Sequence, residues 1–389
     1  MKPFFGLYIH WPFCISKCPY CDFNSHVQTS IDIQAWQDAY LVELERLWQE
    51  TSDKELRTIY FGGGTPSLMP PALAGSLIEK AYALWGTSPH VEITLEANPN
   101  SIEIHKLRDF KAAGINRVSI GVQSFIEEDL LFLKRAHSRE EAISAIKMAA
   151  PLFDRHSFDL IYARPHQSVQ AWEKELSFAL SLAQDHLSLY QLTIESHTAF
   201  YTQFHRGDFT LPDEDLATDL YLATHARLQE FNMVGYEVSN FAKPGSESQH
   251  NLLYWRYDDY AGIGPGAHGR LTIAHQKRAS QAYRSPQTWL TKVKEGSGTQ
   301  EIRPIEAHEQ IQEMLMIGLR LREGISRQAF EKKFHKTLEE IIPSSSLKPL
   351  LQEQLMERDE ISIRCTLKGL LKLNAILKYL FPRLVCDTP

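Results

Sequence analysis

The sequence predicts an α/β fold on a parallel sheet, joined to a smaller, mostly helical C-terminal domain. Three observations carry this. The first half repeats a short apolar β-branched run, a loop rich in Gly, Cys or polar residues, and an amphipathic helical stretch. The unusual residue clusters fall at the carboxyl ends of those runs, the rim where parallel folds hold ligands. From about Glu301 the alternation gives way to helical spacing.

Strands are read near residues 7–10, 58–61, 91–96, 117–123, 158–162 and 186–192. Between the first two, Trp36, Tyr40, Leu44 and Leu47 recur at helical spacing, the stripe of an outer-layer helix. Right-handed βαβ units follow. They can form an open doubly wound sheet or a partial (β/α) barrel, and periodicity does not separate the two. From about Asn232 the chain turns rich in Gly, Tyr, His and Asn, through Gly235-Tyr236-Glu237, His250-Asn251-Leu252-Leu253-Tyr254-Trp255 and a Gly-rich segment from Gly262 to Gly269. Such residues mark packed, constrained backbone rather than a linker. The expected division is residues 1–231, 232–300 and 301–389, the last a helical domain. There Met314, Leu315, Ile317, Leu319 and Leu321 mark a helix expected to stop at Gly324. A strand-like stretch at 361–364 precedes a helix over 367–380, so a winged-helix-like unit fits.

Length and composition are those of a globular protein with a sizeable core. A net charge of −7 offers no overall basic field for nucleic acid. No apolar run approaches the roughly 18 residues of a spanning helix, and the N-terminus lacks a secretory pattern, so a cytoplasmic location is expected. Three of the five cysteines crowd into one loop, which points to a reducing compartment and a metal site rather than a disulfide framework. Cys365 and Cys386 read as structural.

Cys14-Ile15-Ser16-Lys17-Cys18-Pro19-Tyr20-Cys21 is a C-x3-C-x2-C loop directly after a strand. Three thiolates hold three irons of a cubane [4Fe-4S] cluster and leave the fourth iron open. A zinc site with His10 as fourth ligand is the bland alternative. Gly62-Gly63-Gly64-Thr65, one strand away, lets backbone groups approach a ligand. Glu96, Gln123 and Asp159 lie on or just after strands, with Arg135 in the next helical segment, so they can converge on one ligand.

Residues Tyr8 to Cys21, together with Gly62 to Pro66, resemble the radical S-adenosylmethionine (SAM) superfamily, in particular its branch of oxygen-independent coproporphyrinogen III oxidases and heme chaperones. The likeness runs from about Lys2 to Leu380. It implies a partial (β/α)6 barrel, and SAM bound at the open iron and cleaved to a 5′-deoxyadenosyl radical. It also implies SAM contacts from Tyr8, Tyr20, Gly63, Gly64, Thr65, Glu96, Gln123, Arg135 and Asp159, with Arg135 on the carboxylate and Tyr20 against the adenine.

Three departures refine the expectation. Phe23 stands where the oxidases carry a fourth cysteine. His250-Asn251-x-x-Tyr254-Trp255 matches the signature of the heme chaperones, which makes His250 an expected axial heme ligand; His268, in the Gly-rich segment, is a second candidate contact, to SAM or to the tetrapyrrole. Read without the resemblance, that motif is a hydrogen-bonded aromatic corner. Ala163-Arg164 replaces the usual Gly-Leu pair before Pro165 and puts a standard substrate-facing loop there in doubt. The resemblance therefore favours a heme chaperone that serves respiratory haemoproteins and takes electrons from a donor. A coproporphyrinogen III oxidase comes second, and a radical enzyme with another substrate third.

Overall fold

Six β-branched and aromatic runs form parallel strands that neighbour one another in chain order: Phe4–Trp11, Glu55–Gly63, Glu92–Ala97, Arg117–Gln123, Arg155–Tyr162 and His186–Gln191. A doubly wound sheet would reverse this order at a switch point. Right-handed crossovers in unbroken order place every helix on one face and curl the sheet into a partial barrel. The computed structural model describes residues 2–28, 30–87 and 90–385. Cys386 lies outside the described residues.

Alternation along each strand separates two environments. Phe5, Leu7, Ile9 and Trp11 are buried in the main apolar cluster with Trp36, Tyr40, Leu44 and Leu47 of the helix Ile33–Thr51. The intervening positions carry polar groups that bond across the barrel interior. Tyr60 donates to Glu96 (2.8 Å), Arg117 to Ser157 (3.0 Å) and Ser119 to Asp159 (3.1 Å). Crossover helices start at side-chain caps, among them Asp32, Ser168 and Ser138, the last answered by Glu141 in a capping box.

The Gly-, Tyr- and Asn-rich segment extends both edges of this sheet. Strands Val234–Gly235 and Asn240–Ala242 add antiparallel strands beside His186–Gln191. On the other edge Asp259–Ile263 pairs parallel with Phe4–Trp11 and leads to His268–Ile273, Gln276–Ala282 and Thr299–Pro304. Thr299–Pro304 runs across the expected boundary between residues 300 and 301.

Beyond it, helices pack with a small antiparallel sheet of Ile325–Ser326, Ser362–Cys365 and Met356–Arg358 around a second apolar cluster that includes Cys365. Two expectations need correction here. The first helix is Ala307–Gly318, so Leu319 and Leu321 lie beyond it. Gly324 (φ +70°) turns the chain into Ile325 rather than capping that helix. The expected helix over 367–380 is broken into Leu367–Leu370 and Leu373–Leu380.

Candidate cluster and nucleotide site

A cavity of about 450 Å³ opens at the carboxyl rim of the parallel strands. Cys14, Cys18 and Cys21 line it, and so do Tyr20, Gly63, Gly64, Thr65, Glu96, Gln123, Arg135 and Asp159. Of the residues expected at a SAM site, Tyr8 alone lies elsewhere. Its hydroxyl donates to His10 Nδ1 (3.0 Å) in an adjoining cavity.

The cysteine loop is held by the glycine run. Gly64 N donates to Trp11 O (2.7 Å) and Thr65 N to Phe13 O (2.8 Å). A Cβ on Gly63 (φ +118°) would meet the His10 ring at 2.6 Å, and one on Gly64 the Phe13 carbonyl at 2.8 Å. These glycines thus serve close backbone approach to the cysteine loop as well as to any ligand.

Two thiols receive side-chain donors. Thr65 Oγ1 donates to Cys14 Sγ, and Arg135 Nη1 donates to Cys18 Sγ, each at 3.3 Å. Such donors stabilise thiolate charge, which suits metal-bound sulfur. Burial pushes the Cys14 and Cys21 thiols up, and the negative charge of the neighbouring thiolates adds to this, so a bound cation would relieve the cost. Among the described residues no three His, Cys, Asp or Glu could hold a single metal ion. The three thiols line one cavity, and a C-x3-C-x2-C set of three thiolates suits three irons of a cubane cluster.

Arg135 is the centre of the polar wall. Its Nη2 donates to Asn98 Oδ1 (2.5 Å) and Gly121 O (2.9 Å), and its buried Nε has no hydrogen-bond partner among the described residues. Asn98 in turn donates to Thr65 Oγ1 (3.2 Å). The expected Arg135 contact with a SAM carboxylate therefore shares the guanidinium with a cluster cysteine. Burial raises Glu96 to about 7, although the Tyr60 hydroxyl and Gly63 N–H both donate to it; Asp159 is likewise raised by burial, to about 6.

Asn98, in the rim cluster after the third strand, was given no role from the sequence, and Tyr190, Gln191 and Thr193 were missed; all four line the cavity. Each follows or ends a parallel strand, so the rim rule alone was a usable signal for them. Arg164 turns away from the rim. Ala163 takes the positive φ (+56°) that glycine would occupy, and the buried Arg164 pairs with Glu175 and with Asp129 (3.1 Å). That loop is internal rather than substrate-facing.

His250 does not match its expected role. It is 1 % exposed, its Nδ1 shares a hydrogen bond with Thr58 Oγ1 (2.7 Å) and its Nε2 one with Tyr254 OH (2.9 Å). Its ring stacks on Tyr60 at 4.8 Å, and burial lowers its pKa to about 3. Both ring nitrogens are engaged, so the aromatic-corner reading describes this residue and an axial-ligand role does not. The helix it sits on, Gln249–Trp255, instead offers Asn251, Tyr254 and Trp255 to a second cavity of about 860 Å³. Phe23, Gly63, Glu96 and Tyr190 border both cavities.

Residues 8–179 match the profile of the radical SAM superfamily, and residues 305–371 that of the HemN C-terminal domain. The chain is 37% identical over 387 residues to the mitochondrial radical S-adenosyl methionine domain-containing protein 1 of Bos taurus, covering 97% of this chain and 88% of that protein. It is 39% identical over 332 residues to the heme chaperone HemW of Escherichia coli K12, covering 84% and 85%. Its fold matches that of the E. coli coproporphyrinogen III oxidase HemN with a TM-score of 0.80, at 23% identity over 97% of this chain and 90% of that one.

Proposed function

The chain belongs to the HemN-like branch of the radical SAM superfamily, close to HemW, and from that premise we propose that it is a heme chaperone. In this reading Cys14, Cys18 and Cys21 hold the cubane cluster and SAM lies across the barrel rim. Heme is carried in a separate place for delivery to respiratory haemoproteins, in the cytoplasm. When bound, the cluster supplies an electron to the SAM sulfonium. The protein's own part is placement. Thr65 and Arg135 donate to the thiols that would hold the cluster, Glu96 and Asp159 would offer carboxyl groups to the nucleoside, and Asn98 holds the Arg135 guanidinium in position. No helix among the described residues is long and apolar enough to cross a membrane.

The observation that supports a chaperone over an oxidase is Phe23. It is 57 % exposed and borders both cavities, where a fourth cysteine would offer a thiol. A phenyl ring neither ligates iron nor relays a proton. Anaerobically reconstituted protein should therefore bind hemin with a Soret band and leave coproporphyrinogen III unconverted in a decarboxylation assay. Robust conversion would replace this reading with the oxidase, and absence of hemin binding would remove it.

A further inference from the structure

We propose that the second cavity is the heme site, with His268 as axial ligand and Arg320 as the partner of a heme carboxylate. The proposal rests on the heme-binding reading above and adds the residues. The cavity lies between the helix Gln249–Trp255, the glycine-rich turn before His268, and the helix Ala307–Gly318 with the turn that follows it. Its volume of about 860 Å³ is in the upper part of the range for organic-ligand pockets, and its walls include Phe23, Tyr254, Trp255 and Tyr260. Flat apolar walls suit a large planar ring.

A metal ligand needs a free nitrogen lone pair. His10 also lines the cavity, but its Nδ1 accepts from Tyr8 and its Nε2 donates to Asn24 O (2.9 Å). His250 is engaged at both nitrogens and does not line it. His268, at the exposed start of the strand His268–Ile273, makes no ring hydrogen bond among the described residues. It is the cavity histidine with an available nitrogen.

The two arginines of the cavity differ in the same sense. Arg270 is neutralised by Glu313, to which its Nη2 donates at 2.9 Å. Arg320 has no carboxylate within salt-bridge reach among the described residues, Glu237 acting on it only at longer range, and its Nη1 donates to the Met316 carbonyl. Burial lowers its pKa, the mark of a cation short of compensation. A half-buried guanidinium lining an apolar cavity is a receptor for a carboxylate, which accepts two of its N–H groups in parallel. An iron porphyrin with anionic side groups answers both features. Iron meets the imidazole and a carboxylate meets the fork.

The test is titration of the full reconstituted protein with hemin and, separately, with metal-free protoporphyrin IX. His268→Ala should weaken hemin binding at least tenfold and shift the Soret band while protoporphyrin IX affinity stays unchanged, because only hemin uses an axial ligand. His268→Met should bind hemin with a different Soret position, as a thioether replaces imidazole. Arg320→Gln should weaken both porphyrins several-fold, and should change little for the dimethyl ester, which lacks the charge. An unchanged Soret band and hemin affinity in His268→Ala, with wild-type iron and sulfide content, would overturn the axial assignment. Equal losses for hemin and protoporphyrin IX would overturn it too. Equal losses for the acid and the ester in Arg320→Gln would overturn the carboxylate assignment. Wild-type protein that binds no hemin would remove the heme reading itself, whereas wild-type binding with unaltered variants removes only this placement.

Discussion

Two side chains of the barrel, one buried and one half-buried, show how much a residue's role depends on what its polar atoms already touch. His250 bridges Thr58 and Tyr254 inside the barrel wall, so truncating it strands two hydroxyls and opens a void. His250→Ala should cost about 2–4 kcal/mol, read as a lower unfolding temperature, and a thermally silent variant would contradict the buried bridge. Glu96 presents the opposite case, a carboxyl whose neutral form the fold favours. Burial raises it from 4.5 to about 7, so between those pH values the folded protein holds a proton that the unfolded chain has released. Stability of the cofactor-free protein therefore falls as pH rises through that window. Glu96→Gln should remove this slope and raise the melting temperature at pH 8, at about 1 °C per kcal/mol recovered for a chain of this length, while weakening SAM binding. A pH profile identical to wild type would show that Glu96 does not carry the effect.

At the scale of elements, the parallel strands and the cysteine loop were legible because apolar β-branched runs and a C-x3-C-x2-C spacing are local signals, whereas the strand order followed only from the family resemblance. The strand Arg117–Gln123 has the bounds read from the sequence. What the sequence hid was pairing at a distance. Nothing in the His250 motif announces Thr58, 192 positions away, and nothing in Arg164 announces Glu175 and Asp129. That last trio joins the helix Val169–Leu182 to the short helix Glu127–Phe132, and the chain leaving the latter delivers Arg135 to Cys18. Arg164→Ala would leave Glu175 buried without its cation, at a cost of about 3–5 kcal/mol. Arg135 should then lose its fixed approach, so the variant is expected to retain less iron and sulfide after reconstitution. Wild-type stability would show that the pair is dispensable; wild-type cluster content at lowered stability would break the proposed link to Arg135.

At the scale of the whole molecule, the helical C-terminal region and the barrel share both a core and a cavity. Tyr257 belongs by sequence to the barrel extension but is buried in the C-terminal apolar cluster, with Lys277 and Lys333 over its ring at 4.1 and 4.7 Å. Its hydroxyl donates to Glu313, which also receives Arg270. One carboxylate on the helix Ala307–Gly318 thus ties two points of the barrel extension, and all three residues line the larger cavity. The cluster cavity is built from the parallel strands and their rim loops and uses none of them. Loosening this tie should therefore act on one cavity and spare the other. Glu313→Ala removes charge-assisted hydrogen bonds worth about 2–3 kcal/mol together, so hemin affinity should fall while iron, sulfide and SAM binding stay at wild-type levels. Proteolysis near residue 305 should also quicken, since the helix would leave the barrel more often. Parallel loss of hemin and SAM binding would show that the two cavities unfold as one unit, and the division of labour between them would fail.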